Sequence, residues 1–116
     1  MGVRPGPRSR SWLNICDTFL NLNSSSPLHL WFVCTEPDAN NHVVIANLTS
    51  FTQSKDNTCL IRPGDHPFVR KDSCIEYERA RLVTTQQLDA LLRNQDISQQ
   101  APADKHLIQR IRKGAL

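Results

Sequence analysis

The sequence predicts a mainly β, α+β fold in which a curled sheet or small barrel is followed by two C-terminal helices. Three observations predict it. Short apolar runs rich in Val, Ile, Phe, Trp and Leu recur at residues 30–33, 43–45 and 60–61, with polar or Pro/Gly-marked segments between them. Helical periodicity is clear only towards the C-terminal end. Strands therefore come first and helices after, the order of an α+β domain. The 116 residues, 39% hydrophobic and 22% charged, suit one globular domain with its own core.

Each element has its own signal. Residues 1–12 are rich in Pro, Gly, Arg and Ser and read as a flexible basic leader, which leaves residues 13–116 as the single domain. Residues 13–20 are expected to open the sheet, although their apolar residues follow no clean period. Ser24, Ser25, Ser26 and Pro27 mark a polar loop. Residues 29–35 are aromatic and β-branched and read as a buried strand. The turn at residues 36–41 joins it in a hairpin to a second strand at residues 42–48. Residues 49–57 are a polar loop. Residues 58–61 are a further strand, stopped by Arg62-Pro63-Gly64-Asp65. A short extended piece is expected around Phe68 and Val69. Residues 73–83 read as strand or helix, and a strand with a bend fits their imperfect alternation better.

The C-terminal helical arm spans residues 84–116. Thr84 and Gln87 form a capping box, and Leu88, Leu91 and Leu92 then share a helical face that stops near Asn94. Ala101-Pro102-Ala103 leads to a second helix from Asp104, with Leu107, Ile108 and Ile111 on one face and Gly114 as its C-cap. The two helices would cover an open end of the sheet.

Several function classes are excluded by what is missing. No apolar run approaches the roughly 18 residues of a membrane span, and no signal peptide pattern follows the basic start. The chain is expected to be cytoplasmic. Cys16, Cys34, Cys59 and Cys74 form no C-x-x-C pair and read as buried free thiols, with one or two disulfides as the alternative. No metal site and no cofactor are expected, since glycine-rich phosphate loops, G-x-S-x-G and H-E-x-x-H are all absent.

Four groups carry candidate chemistry. The turn Arg62-Pro63-Gly64-Asp65-His66-Pro67-Phe68 displays an Asp next to a His between apolar anchors, and an imidazole serves as acid or base near neutral pH. His29 stands at the entrance of the most apolar strand. Asn47-Leu48-Thr49-Ser50 brings hydroxyls and an amide to a strand end, where they suit a phosphate or oxyanion. Arg62, Arg70, Lys71, Arg79 and Arg81 offer cations to a nucleic-acid backbone, in a chain of net charge +3. Aromatic residues are only 6% of the chain, which gives little support to a base-stacking platform. Two imidazoles and a guanidinium would suffice to cleave RNA without metal. One group deprotonates the 2′-hydroxyl, one protonates the leaving oxygen and a cation stabilises the phosphorane.

Residues 14–92 resemble the PemK/MazF-like toxins. The resemblance is carried by Cys16-Asp17-Thr18-Phe19, His29-Leu30-Trp31-Phe32-Val33 and Val43-Val44-Ile45-Ala46-Asn47-Leu48-Thr49-Ser50. These match that family's first three strands, the third ending in a hydroxyl residue. The resemblance implies a small SH3-like β-barrel, a homodimer, an endoribonuclease activity on single-stranded RNA and a cognate antitoxin protein as partner. His29 falls where the family carries a catalytic Arg, and Glu76-Tyr77-Glu78-Arg79 stands where the family has D-Q-x-R, keeping only the Arg. Carried over, the catalytic set is His29, Thr49, His66 and Arg79, and the RNA-binding set is Ser50, Arg62, Arg70 and Lys71. The missing Arg leaves a second reading open, a non-enzymatic binding module on the same barrel that inhibits a protein target or serves as an accessory protein.

Overall fold

The computed structural model describes residues 13–22, 29–50 and 59–115. The expected leader, the serine loop, residues 51–57 and the start of the strand expected at residue 58 lie outside the described residues. The described chain is an α+β fold: an antiparallel sheet of seven strands with two helices. Its strands are β1 (Thr18–Asn21), β2 (Leu30–Val33), β3 (His42–Ser50), β4 (Leu60–Ile61), β5 (Ser73–Ile75), β6 (Arg81–Thr84) and β7 (Ile97–Gln100). Helix α1 (Thr85–Arg93) lies between β6 and β7, and α2 (Lys105–Gly114) ends the described chain.

The sheet order is β4-β5-β3-β2-β1-β7, with β6 also paired to β3. β4 and β7, at the two ends of this path, are not paired to each other among the described residues, so the sheet stays open. β3 organises the rest. It pairs with β2 through Trp31↔Asn47, Phe32↔Ala46 and Val33↔Ile45. Along its other edge it pairs first with β6 and then with β5. On that edge Ile45 faces Arg81 while Leu48 faces Ile75, and the surplus chain is taken up by a 3-10 turn at Tyr77–Arg79. The strand with a bend expected at residues 73–83 is thus two strands separated by that turn.

Period-2 alternation sends the sheet's two faces into two cores. Leu30 and Phe32 of β2, with Ala46 and Leu48 of β3, pack with Leu107, Ile108 and Ile111 of α2. Val33, Val43 and Ile45 pack on the other face with Leu88 of α1, Phe19 and Ile97. Both faces are covered, which explains why β2 and β3 read as nearly continuous apolar runs.

The helices begin where the sequence places them. Thr84 accepts from Gln87 N–H at 3.0 Å, and the Gln87 side chain accepts from Thr84 N–H at 2.8 Å. Asp104 caps α2 through His106 N–H at 2.7 Å. Three expectations fail. Leu91 is exposed although it shares the apolar spacing of Leu88. Phe68 and Val69 form no strand. Gly114 does not cap α2, because Ala115 does, at φ −80°. Gly114 serves a close approach instead: a Cβ there would collide with the Tyr77 hydroxyl, which donates to Ile111 O at 2.8 Å.

The sequence also conceals β7. Its single core residue is Ile97, and it reads as a linker between helices. The turn that delivers it is a Schellman motif, in which Asp96 N–H donates to Leu91 O and Gln95 N–H to Leu92 O. Gln95 takes the left-handed position at φ 62°, where the usual glycine signal is missing. β7 then pairs with β1 from Thr18↔Gln100 to Asn21↔Ile97. No helix among the described residues is long and apolar enough to cross a membrane.

A Gly114→Ala substitution is expected to destabilise the fold by about 1–3 kcal/mol, the range for overpacking a filled site. Chemical denaturation measures it, and the penalty shrinks in a Tyr77→Ala background if the phenol is the cause.

Candidate functional site

The turn after β4 is built from its own side chains. Gly64 supplies φ +101°. Asp65 accepts from Arg62 N–H at 2.8 Å and lies 3.4 Å from the Arg110 guanidinium, so its carboxylate ties the turn to α2. His66 is only 3% exposed. Its Nε2–H donates to Ala101 O at 2.7 Å, and its Nδ1 accepts from Phe68 N–H at 3.0 Å. A carbonyl can only accept and an amide N–H can only donate, so these partners select the neutral imidazole with its proton on Nε2. The ring meets Phe32 edge-on, with centroids 6.1 Å apart. Ala101 O accepts a second bond from Thr18 Oγ1 at 2.7 Å.

His29 precedes β2. Its Nδ1–H donates to Leu48 O at 2.9 Å. That bond leaves the lone pair of the neutral ring on Nε2. Continuing the β2–β3 register beyond Trp31↔Asn47 brings His29 beside Thr49. Thr49 and Ser50, at the end of β3, are held opposite Cys74 and Ser73 of β5.

These segments meet at one pocket of about 660 Å³, lined by His29, Thr49, Ser50, His66, Arg70 and Lys71 together with Phe68, Ser73 and Gln100. Arg70 and Lys71 are exposed, and neither forms a salt bridge to a described residue. The other candidates lie elsewhere. Arg79 is absent from this lining. It is 67% exposed, with its Nε 3.7 Å from Glu76 Oε2. Arg62 lines a separate pocket of about 730 Å³ with Asp65, Arg110 and Lys113.

Sequence reasoning missed Gln100, Ser73 and the pocket role of Phe68. Gln100 sits on β7, which carries no strand pattern, and Phe68 reads as a turn anchor. Among the described residues no three His, Cys, Asp or Glu side chains gather as a metal-ligand set. The four cysteines are free. Burial pushes the Cys34 thiol up to about 12 and also raises Cys59 and Cys16. These three therefore lack the lowered value of a nucleophilic thiol.

No protein-family model matches the chain, and no curated protein or solved structure matches it at a significant level.

A His66→Leu substitution strands the Phe68 amide and leaves the Ala101 carbonyl with Thr18 as its remaining donor, at an expected cost of about 1–3 kcal/mol in urea unfolding. Cys34 gives a pH signature. The folded chain holds its thiol proton more tightly than the unfolded chain, so stability falls as pH rises from 9.0 towards about 12. Iodoacetamide at pH 8 should leave Cys34 unlabelled until denaturant is added, as mass spectrometry of the digest would record.

Proposed function

We propose that the chain is a toxin-like endoribonuclease that cleaves single-stranded RNA in this pocket, on a sheet that is a divergent, open relative of the SH3-like barrel of PemK/MazF-like toxins. The observation that carries the reading is convergence. Imidazole, hydroxyl and two cations from three separate segments line one cavity large enough for a ligand. His29 Nε2 takes the proton of the 2′-hydroxyl. The 2′-oxygen attacks the adjacent phosphorus, the bond to the 5′-oxygen breaks and a 2′,3′-cyclic phosphate forms. The leaving oxygen takes its proton from solvent. Arg70 and Lys71 offset the charge that grows on the phosphorane, and Thr49 donates to a phosphate oxygen. His66 acts here as a positioning residue, because both its ring nitrogens are committed to the backbone. Arg79 lies outside this mechanism. In this reading the partners are a cognate antitoxin protein and a second copy of the chain, and the setting is cytoplasmic.

One observation favours the second reading, a non-enzymatic binding module that inhibits a protein target or serves as an accessory protein. The pocket offers a single available imidazole nitrogen, His29 Nε2, and Arg79, the guanidinium of the family pattern, is engaged with Glu76 outside it.

Purified protein incubated with a labelled single-stranded RNA, with and without added magnesium, decides between them. Cleavage to a cyclic phosphate is expected in both conditions, with the rate falling about 10²- to 10⁴-fold in His29→Ala. Thr49→Ala should slow cleavage too. Intact RNA with folded wild-type protein overturns the nuclease and supports the binding module.

A further inference from the structure

We infer that the pocket holds a whole nucleotide unit, with an unpaired base stacked on Phe68 and its edge hydrogen-bonded by Gln100. This deepens the RNA reading above and rests on it. Phe68 is 36% exposed and lines the pocket, whereas its neighbours His66 and Val69 are 3% and 6% exposed. An exposed phenyl ring between two buried anchors has no part in the core, and it is an unusual place for a residue type that is most often buried. The backbone that carries the ring is also held in place. Pro67 fixes one backbone dihedral before it. Phe68 N–H donates to His66 Nδ1 at 3.0 Å, and Val69 N–H donates to His66 O at 3.0 Å. A backbone held this way loses little freedom when a flat ligand lies on the ring.

Gln100 lines the same pocket from the end of β7. Its Nε2 is used within the chain, on Ser98 O at 3.3 Å and Ser98 Oγ at 3.2 Å. That arrangement orients the amide and leaves Oε1 as the acceptor, which suits an exocyclic amino or ring N–H of a base. Phe68 and Gln100 are fixed relative to one another, since His66 bonds to Ala101, the residue after Gln100, and to the Phe68 amide. Arg70 and Lys71 follow Phe68 after one intervening residue, Val69, and line the same pocket, so a base on the ring keeps its phosphates within the cationic rim. Stacking on an aromatic face tolerates every base, so the inference names single-stranded nucleic acid as the class and leaves its sequence unspecified.

The test uses the full chain and a labelled 2′-O-methyl pentanucleotide, which lacks the attacking hydroxyl and is read by fluorescence anisotropy. An abasic sugar–phosphate pentamer of the same charge is the control. Wild type is expected to bind the base-bearing oligomer more tightly than the abasic one. Phe68→Ala should weaken the base-bearing oligomer by about 5- to 150-fold, the range for stacking one base. The same variant should leave the abasic control unchanged, and Phe68→Trp should restore affinity. Thermal unfolding that superposes on wild type checks that each variant is folded. Equal affinity of wild type and a folded Phe68→Ala for the base-bearing oligomer overturns the stacking inference while phosphate recognition stands. Failure of wild type to bind either oligomer overturns the RNA reading and this inference with it.

Discussion

One carbonyl oxygen ties the molecule together. Ala101 O accepts from the Thr18 hydroxyl, buried in β1, and from the His66 ring, buried in the turn after β4. Those donors are 83 and 35 residues away along the chain. The acceptor itself stands between the last strand and the last helix, so its two lone pairs fix three distant segments at one point. Each bond is of ordinary strength in net terms, about 1 kcal/mol. Their joint effect is geometric: the end of β7, the His66 turn and β1 cannot shift independently. The pocket lies against this junction, and its walls inherit their spacing from it.

β3 supplies the second constraint. It is nine residues long and borders three neighbours, with β2 and β6 fixing its body and β5 fixing its far end. Thr49 and Ser50 stand at that end. The His29 ring is fastened to the same strand through Leu48 O. A hydroxyl and an imidazole from different strands are thereby held by backbone geometry and not by contact with each other. This is the kind of arrangement that keeps reactive groups in place before a ligand arrives.

Much of the frame was legible. Alternation and β-branched runs mark β2 and β3, and caps mark the first residue of both helices. Thr84 with Gln87 and Asp104 are chemical signals that depend on neighbours in the chain, so they survive the absence of tertiary information. β7 was illegible for the opposite reason. Its residues Ser98, Gln99 and Gln100 have no strand preference and pair because β1 needs a partner. The left-handed residue that launches it is Gln95, so the customary glycine marker was not there to be read. Gly114 misled because a glycine near a helix end has two uses, a left-handed cap or a close approach, and only the position of Tyr77 tells them apart. Of the candidate residues, those near His29 and Thr49 share a hairpin whose register alternation predicts. Arg79 was grouped with them by charge and as the Arg kept from the family's D-Q-x-R pattern, and a 3-10 turn carries it to Glu76 instead.

The same interruption between β5 and β6 divides the sheet into parts of unequal endurance. β6, β2, β1 and β7 join β3 in one ladder, whereas β4 is attached through only two residue pairs with β5 at its tip. Segments joined by few hydrogen bonds open at lower free energy than the global fold. Arg70 and Lys71 lie on the connection between β4 and β5, so the cationic rim belongs to the part of the sheet with the shortest pairing. Amide protons there would exchange with solvent well before those of β2, and a ligand that bridges the rim to β3 would close that gap. The pocket is thus a seam between a durable half and a yielding one, and whatever occupies it fastens the two together.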